Sequence, residues 1–530
     1  MLSILEQFRN DVYSWFSQRA DALMDLLDAL SSNTTARSVV ELSENPLFRR
    51  QYSSVHDGIE HLSIPTSEDS RLQGRQEMEQ ALIRLLVPYL PGPQRPFRLL
   101  GTDVTSASRP FARTLSDRTF VYQPNPVKGV KPITIGHQYS IVALLPEKGS
   151  PADPPWVIPL LVNRVPSTET KREAGQQQIA RLLDDKTLPF HDELCVNVTD
   201  TDYSAVTFLG KMTRHPNLIT IARCAGNRTV YRKAPPAKKS PGKGHPTWFG
   251  APMSLKRSET WDEPDETAQT TLTTRKGKRY TVHLEGWHDM LLRGKRGLPM
   301  HRSPFTLVRA RVVDAQGNQV FQRPLWLIVF GQRRKELSLI EIWEAYQQRY
   351  DLEHFFRFGK QRLMMDAYQT PETEREENWW TLVQLAYLQL WFAREHADNL
   401  PRPWERYLPR FRPNDTPVDA SPESETAAPS DASPESETAA PSDASPKNET
   451  AAPSDASPGG ETVSSVPSPS AVQRDLSRTL RQIGTPARAS KRRGKAPGRS
   501  AGEKVVLRVR VPVIKKSVPK HMSQKQQRAP

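Results

Sequence analysis

Cysteine is almost missing from this chain: Cys195 and Cys224 are the two among 530 residues. That excludes a secreted scaffold built on disulfides and fits a reducing cytoplasm. The 12 histidines are scattered and show no Cys/His spacing of a zinc site. Long apolar runs are missing too. The most apolar stretch, Thr381 to Ala393, is shorter than the roughly 20 residues that a bilayer span requires. Met1 to Leu30 alternates charged with apolar residues, unlike the basic start and unbroken apolar core of a signal peptide. Neither a membrane span nor a secretory leader is expected. Pro241-Gly242-Lys243-Gly244 lacks the P-loop spacing, so no nucleotide-driven step is expected either.

Net charge is missing from most of the chain. Residues 471–530 hold 17 Lys or Arg against 2 Asp or Glu, a net of +15, which equals the formal charge of the whole protein. This basic tail is expected to be disordered, and within it Arg488, Lys491, Arg492, Arg493, Lys495 and Arg499 are interleaved with Gly, Pro and Ala. Such a segment suits a nucleic-acid backbone, gripped without base reading and in a salt-dependent way; solubility and binding to acidic partners, the linker included, are the alternatives. Ahead of it, residues 401–470 carry the twelve-residue unit Asp-Ala-Ser-Pro-Glu-Ser-Glu-Thr-Ala-Ala-Pro-Ser from Asp419, repeated from Asp431 and, with changes, from Asp443 and Asp455. This composition buries too little apolar surface to offset its ordering entropy, which predicts a disordered acidic linker.

The 400 residues before the linker are enough for a large core. Residues 1–90 read as helices, with Leu23, Leu26, Leu27 and Leu30 in one stripe and Met78 to Tyr89 in another. Residues 91–228 read as strands at Phe97 to Ser106, Thr119 to Gln123, Gln138 to Leu145 and Trp156 to Val165. A helix near Gly175 to Leu183 and strands at Leu194 to Val198 and Asn217 to Arg223 follow. Three antiparallel strands, a helix and a further strand are the order of a ribonuclease-H-like core, so the expected class is α/β. Residues 229–323 read as a β-rich insertion, with a Lys/Pro/Gly/Ser-rich loop from Arg232 to Asp265, alternating segments at Thr270 to Glu285 and Thr306 to Leu327, and a hairpin turn at Gly317-Asn318. Residues 324–400 return to the core through the strand Leu325 to Phe330 and two helical stretches.

The first of those stretches carries the chemistry. On a continuous helix Arg349, Glu353 and Lys360 fall at about −60°, −20° and −40° from Tyr346, so all four share one arc. A carboxylate between two cations suits a metal ion held against a phosphodiester; solvated salt-bridge pairs are the plain alternative. Two upstream aspartates stand at strand ends. Asp103 closes the apolar run of Phe97-Arg-Leu-Leu-Gly-Thr-Asp, and Asp200 follows Leu194-Cys-Val-Asn-Val-Thr, with Asp202 as its rival. Either alone is equally a turn former or helix cap.

The pattern Tyr346-x2-Arg349-x3-Glu353-x6-Lys360 resembles, with no mismatch, the YREK signature of bacterial insertion-sequence DDE transposases, and Asp200-x-x-Tyr203 has a form that this family also shows. The resemblance covers about residues 90–400. It implies that Asp103, Asp200 and Glu353 form the catalytic triad and hold two Mg²⁺ ions, replaceable by Mn²⁺, with Asp103 bridging both. Two such ions about 4 Å apart stabilise the attacking and leaving oxygens of an in-line displacement at phosphorus. It further implies that Tyr346, Arg349 and Lys360 bind DNA at the terminal phosphates, that residues 1–90 bind the element's inverted repeats, and that a homodimer acts on paired ends. A helical cap on the core is the other reading of residues 1–90. Arg223 and Arg228 are candidate DNA contacts, or plain surface cations. Trp248, Trp261 and Trp287 are candidates for stacking on a flipped base, and none is assigned. A ribonuclease-H-like nuclease or resolvase, and an inactive transposase-derived DNA-binding protein, remain the alternatives.

Overall fold

β1 (Arg98–Ser108) organises the architecture. In this computed structural model, which describes residues 3–62, 68–123, 132–235, 248–274, 277–295, 297–398, 466–491 and 508–516, the strand has neighbours on both edges and helices on both faces. Leu99 and Leu100 are both buried, as continuous apolar runs are in a sheet covered on two sides. β1 pairs antiparallel with β3 (Ile133–Leu144). The outer edge of β3 is shared by β2 (Thr119–Tyr122) and β4 (Ile158–Val165). On its other edge β1 pairs parallel with β5 (Cys195–Thr199), which pairs parallel with β6 (Leu218–Arg223). α5 (Lys171–Asp184) connects β4 to β5, and α6 (Val206–Met212) connects β5 to β6. This order is compatible with a ribonuclease-H-like core.

The sheet does not stop at β6. β12 (Leu325–Phe330), with Leu327 to Phe330 buried, pairs antiparallel with β6. β11 (Phe305–Val313), β10 (Arg279–Met290) and β9 (Glu266–Thr273) then continue outward from it. Most of the β-rich segment between residues 229 and 323 is therefore an extension of the central sheet, because a buried strand cannot leave one row of backbone groups unpaired. β7 (Thr229–Lys233) and β8 (Phe249–Ser254) form a separate two-stranded ribbon.

Alternation along β1 sorts its neighbours. A Cβ on Gly101 would lie 2.8 Å from Leu352 of α8 (Tyr350–Arg362), so α8 presses on that face. Thr102 points the other way, to Gly175 of α5, whose Cβ would meet Thr102 at 3.2 Å. α7 (Leu339–Gln348) lies on the α8 side, where Leu339 covers Gly286 of β10. α9 (Thr373–Ala393) is buried along most of its length and packs on β4. α1 (Ile4–Trp15), α2 (Ala20–Ser31) and α3 (Ser53–Glu60) pack on α9, and α4 (Glu68–Leu86) follows them. Leu23, Leu26, Leu27 and Leu30 are fully buried there. The N-terminal helices thus share one hydrophobic core with the sheet. Among the described residues no helix is long and apolar enough to cross a membrane.

Two expectations need correction. The Tyr346 to Lys360 stretch is two helices, because α7 ends at Gln348 and α8 begins at Tyr350, with Arg349 at the junction in helical geometry (φ −52°, ψ −33°). Its N–H and C=O make i→i+3 bonds, Arg349 N–H to Tyr346 O and Leu352 N–H to Arg349 O, each 3.1 Å. The basic tail is also not wholly unstructured. Ser468 caps α10 (Pro469–Ile483), Gly484 at φ 77° ends it, and Val472, Leu476 and Leu480 bury one stripe at i, i+4 and i+8 against the core. The acidic repeats lie outside the described residues, as do Arg492, Arg493, Lys495 and Arg499.

Candidate active site

Asp103 shares the α8 face of β1 with Gly101, since alternate residues of a strand point the same way. Arg349 meets it there: Nη1 donates to Asp103 Oδ2 at 3.0 Å, and Nη2 donates to Glu353 Oε1 at 2.6 Å. One guanidinium therefore bridges a strand acid and a helix acid. Asp103 Oδ1 accepts the Val104 N–H at 2.7 Å. Thr102 is level with Thr199 in the parallel β1–β5 pair, so Asp200, one residue beyond β5, ends the strand beside Asp103. Burial and the charge of Asp103 push the Asp200 carboxyl up to about 6. Burial raises Asp103 as well, against the pull of Arg349.

A second cation arrives from the opposite face of the sheet. Thr170 and Glu173 form a capping box that starts α5, so Lys171 is its first residue. Lys171 Nζ pairs with Asp202 and lies 4.0 Å from Asp200 Oδ2. α5 can come this close because Gly175 has no side chain: a Cβ there would lie 3.0 Å from the Tyr203 ring. Tyr203 is fully buried and packs edge-on against Phe208 at 5.0 Å. Asp200 Oδ1 accepts the Asp202 N–H at 2.9 Å, which fixes the turn that presents both acids. Lys171 was not among the expected site residues. Its capping box marks a helix start, but only the crossover from β4 to β5 brings it over the acids.

The remaining candidates divide. Tyr346 is buried beside Arg349, and burial raises its hydroxyl. Lys360 does not reach the carboxylates: Nζ donates to Ser106 O at 2.7 Å and stands 4.0 Å from Asp366 Oδ2. Burial lowers its affinity for the proton. Arg228 donates to Ser204 O at 2.7 Å, and Arg223 ends β6 half-buried. Trp287 is core and donates to Asp262 O, Trp261 is half-buried against Trp326, and Trp248 is exposed and stacked on His301 at 3.8 Å.

The donor set of Asp103, Asp200 and Glu353 is all carboxylate oxygen, the chemistry that a hard divalent cation takes. Burial is the main reason that the carboxyls of Asp103 and Asp200 are raised, and the neighbouring acids add to it while Arg349 and Lys171 pull the other way. Even so, among the described residues no three or more His, Cys, Asp or Glu side chains are grouped closely enough to hold a metal ion. Arg349, bonded to two of the acids, supplies positive charge there instead.

Residues 11–288 match the family described as DDE superfamily endonuclease, a stretch that includes Asp103 and Asp200 and ends before α7. No curated protein matches the chain.

Proposed function

The chain belongs to the DDE superfamily endonucleases, metal-dependent enzymes that act on DNA, and on that premise we propose that it is a transposase of the YREK class. In this reading it cuts DNA at the ends of an insertion sequence and joins the freed 3′-hydroxyls to a target. The observation that carries the reading is the Arg349 bridge between Asp103 and Glu353, with Asp200 ending the neighbouring strand. In this reading Asp103, Asp200 and Glu353 would hold the divalent ions only once they draw closer together than they stand with Arg349 between them, and the ions supply Lewis-acid charge to phosphoryl transfer when bound.

The chain's own groups do the positioning. Arg349 carries a planar fork that suits a phosphate as well as a carboxylate, so the contacts to Asp103 and Glu353 are ones that a terminal phosphate competes for. Lys171 offsets the charge of Asp200 and Asp202 from the α5 side. Tyr346, buried in α7 three residues before Arg349, limits where the Arg349 fork can turn. Lys360 of α8, held on the carbonyl of Ser106 three residues beyond Asp103 in β1, offers a cation to the DNA backbone beyond the acids. A dimer on two paired ends follows from the need to handle both ends together.

The test is strand cleavage of a labelled duplex bearing the gene's own flanking ends, with Mg²⁺, comparing wild type with Glu353→Gln. Discrete cuts at the element boundary that vanish in the variant, followed by joining to a second duplex, are expected. Cutting without joining makes the protein a nuclease; binding without cutting removes the enzymatic reading.

A further inference from the structure

Ten large apolar side chains are exposed among the described residues, and six of them gather along one edge of the sheet: Phe111, Phe120, Tyr122, Ile133, Val509 and Ile514. Phe120 and Tyr122 are two apart on β2 and therefore share a face, where Tyr122 stands opposite Ile133 and Phe120 opposite Ile135. Phe120, Tyr122 and Ile133 are 53%, 56% and 53% exposed. Phe120, Tyr122 and Ile133 therefore make one exposed apolar patch on that face, and a patch of this kind marks an interaction site.

A basic strand runs beside it. The Val511 N–H donates to Arg113 O at 2.9 Å, the Ile514 N–H donates to Arg118 O at 2.8 Å, and Ile514 bridges Thr119 of β2 in parallel. Residues 508–516 thus cover the free edge of β2. They are anchored by Arg508 on Glu372 (2.9 Å) and by Lys516 on Glu169 O (2.7 Å), while Arg510 and Lys515 remain exposed.

We propose that the exposed face of the β2–β3 pair and the basic strand 508–516 form a second DNA-contact surface, on which unpaired bases pack against Phe120 and Tyr122 while Arg510 and Lys515 meet phosphates. The inference rests on the DNA-acting reading above. Aromatic faces beside cations suit single-stranded nucleic acid, because every base has a face to stack and a phosphate to neutralise. A second copy fits the surface less well, since a twofold contact would set basic strand against basic strand. The placement also suits DNA. Asp103 is level with Ile141 of β3 and Thr119 with Gly136, five residues along that strand, so the surface begins about 17 Å from Asp103. A few nucleotides span that distance.

The experiment is fluorescence anisotropy of the full-length protein in EDTA, where no cutting occurs, with one labelled oligonucleotide as a single strand and as a blunt duplex. Phe120→Ser combined with Tyr122→Ser is expected to weaken single-strand binding about tenfold and duplex binding far less. Arg510→Glu with Lys515→Glu is expected to weaken both and to lower the salt slope for the single strand by about 1. Unchanged single-strand affinity in the aromatic variant overturns the proposal. So does light scattering that shows a wild-type dimer turned to monomer by the same variant with DNA affinity kept. Single-strand binding that the aromatic variant loses, in a protein that cuts no element end, supports this surface and removes the transposase reading alone.

Discussion

Arg349 and Asp103 face each other across the junction between α8 and the central sheet, with Nη1 3.0 Å from Oδ2, while the other arm of the same guanidinium holds Glu353 at 2.6 Å. Both the arginine and the aspartate are largely shielded from solvent. In such a setting the cation and the acids stabilise each other chiefly by sparing one another an unpaired buried charge.

Removing that cation exposes the imbalance. Arg349→Ala is expected to lower stability by about 3 kcal/mol in EDTA, since Asp103 then loses its partner. Divalent metal should restore a good part of the loss in the variant and change wild type less. Chemical denaturation of both proteins with and without Mg²⁺ measures this. Equal metal effects in the two would show that Arg349 is not standing where positive charge is needed.

Asp200 should make the metal-free protein less stable as pH rises. Its folded value of about 6 lies above the ordinary 3.8, so the native state binds the proton more tightly than the unfolded chain does. Stability is then lost between about pH 4 and pH 6, by about 3 kcal/mol when complete. Asp200→Asn is expected to remove that fall, raising the melting temperature in EDTA at pH 7.5 while abolishing cleavage. A variant that melts with the wild-type pH dependence contradicts the assignment.

Gly175 sets the distance between α5 and β1. A methyl group there would stand 3.0 Å from Tyr203 Cε1 and 3.2 Å from Thr102 Cγ2, so Gly175→Val must push the helix outward and carry Lys171 away from Asp200 and Asp202. The expected cost is about 1–3 kcal/mol in urea unfolding. Gly175→Ala should cost less, because its single methyl asks for a shift of only tenths of an ångström.

The end of β1 is held by a buried charge group that the candidate site residues do not include. Glu376 of α9 pairs with Arg109 Nε at 2.8 Å and with His137, all three fully buried. Arg109 also donates to Asp366 O and Tyr368 O, which ties down the segment that follows α8. Glu376→Gln is expected to destabilise the protein by about 3 kcal/mol or more, as it leaves Arg109 without its counter-charge. Thermal unfolding checks this, and a shift of under about 1 kcal/mol would mean the group is not a structural tie.

The sequence by itself determined the local elements and singled out Asp103, Asp200 and Glu353 as candidate acids. Period-2 alternation marked Leu194, Val196 and Val198 as a strand, and Asp103 stood out as the acid following a short apolar run; such patterns depend only on neighbouring residues. Tertiary structure decided what lies outside that range. The single helix became two that meet at Arg349, whose guanidinium joins Asp103 of β1 to Glu353 of α8. Lys360 turned to the Ser106 carbonyl, and α10 folded back onto the core from beyond the acidic repeats. Lys171 became part of the site because the β4–β5 crossover carries the start of α5 to the carboxyl end of β5. Periodicity records which face of an element is buried; the residues that meet across elements are set by chain closure over long separations, which no local spacing encodes.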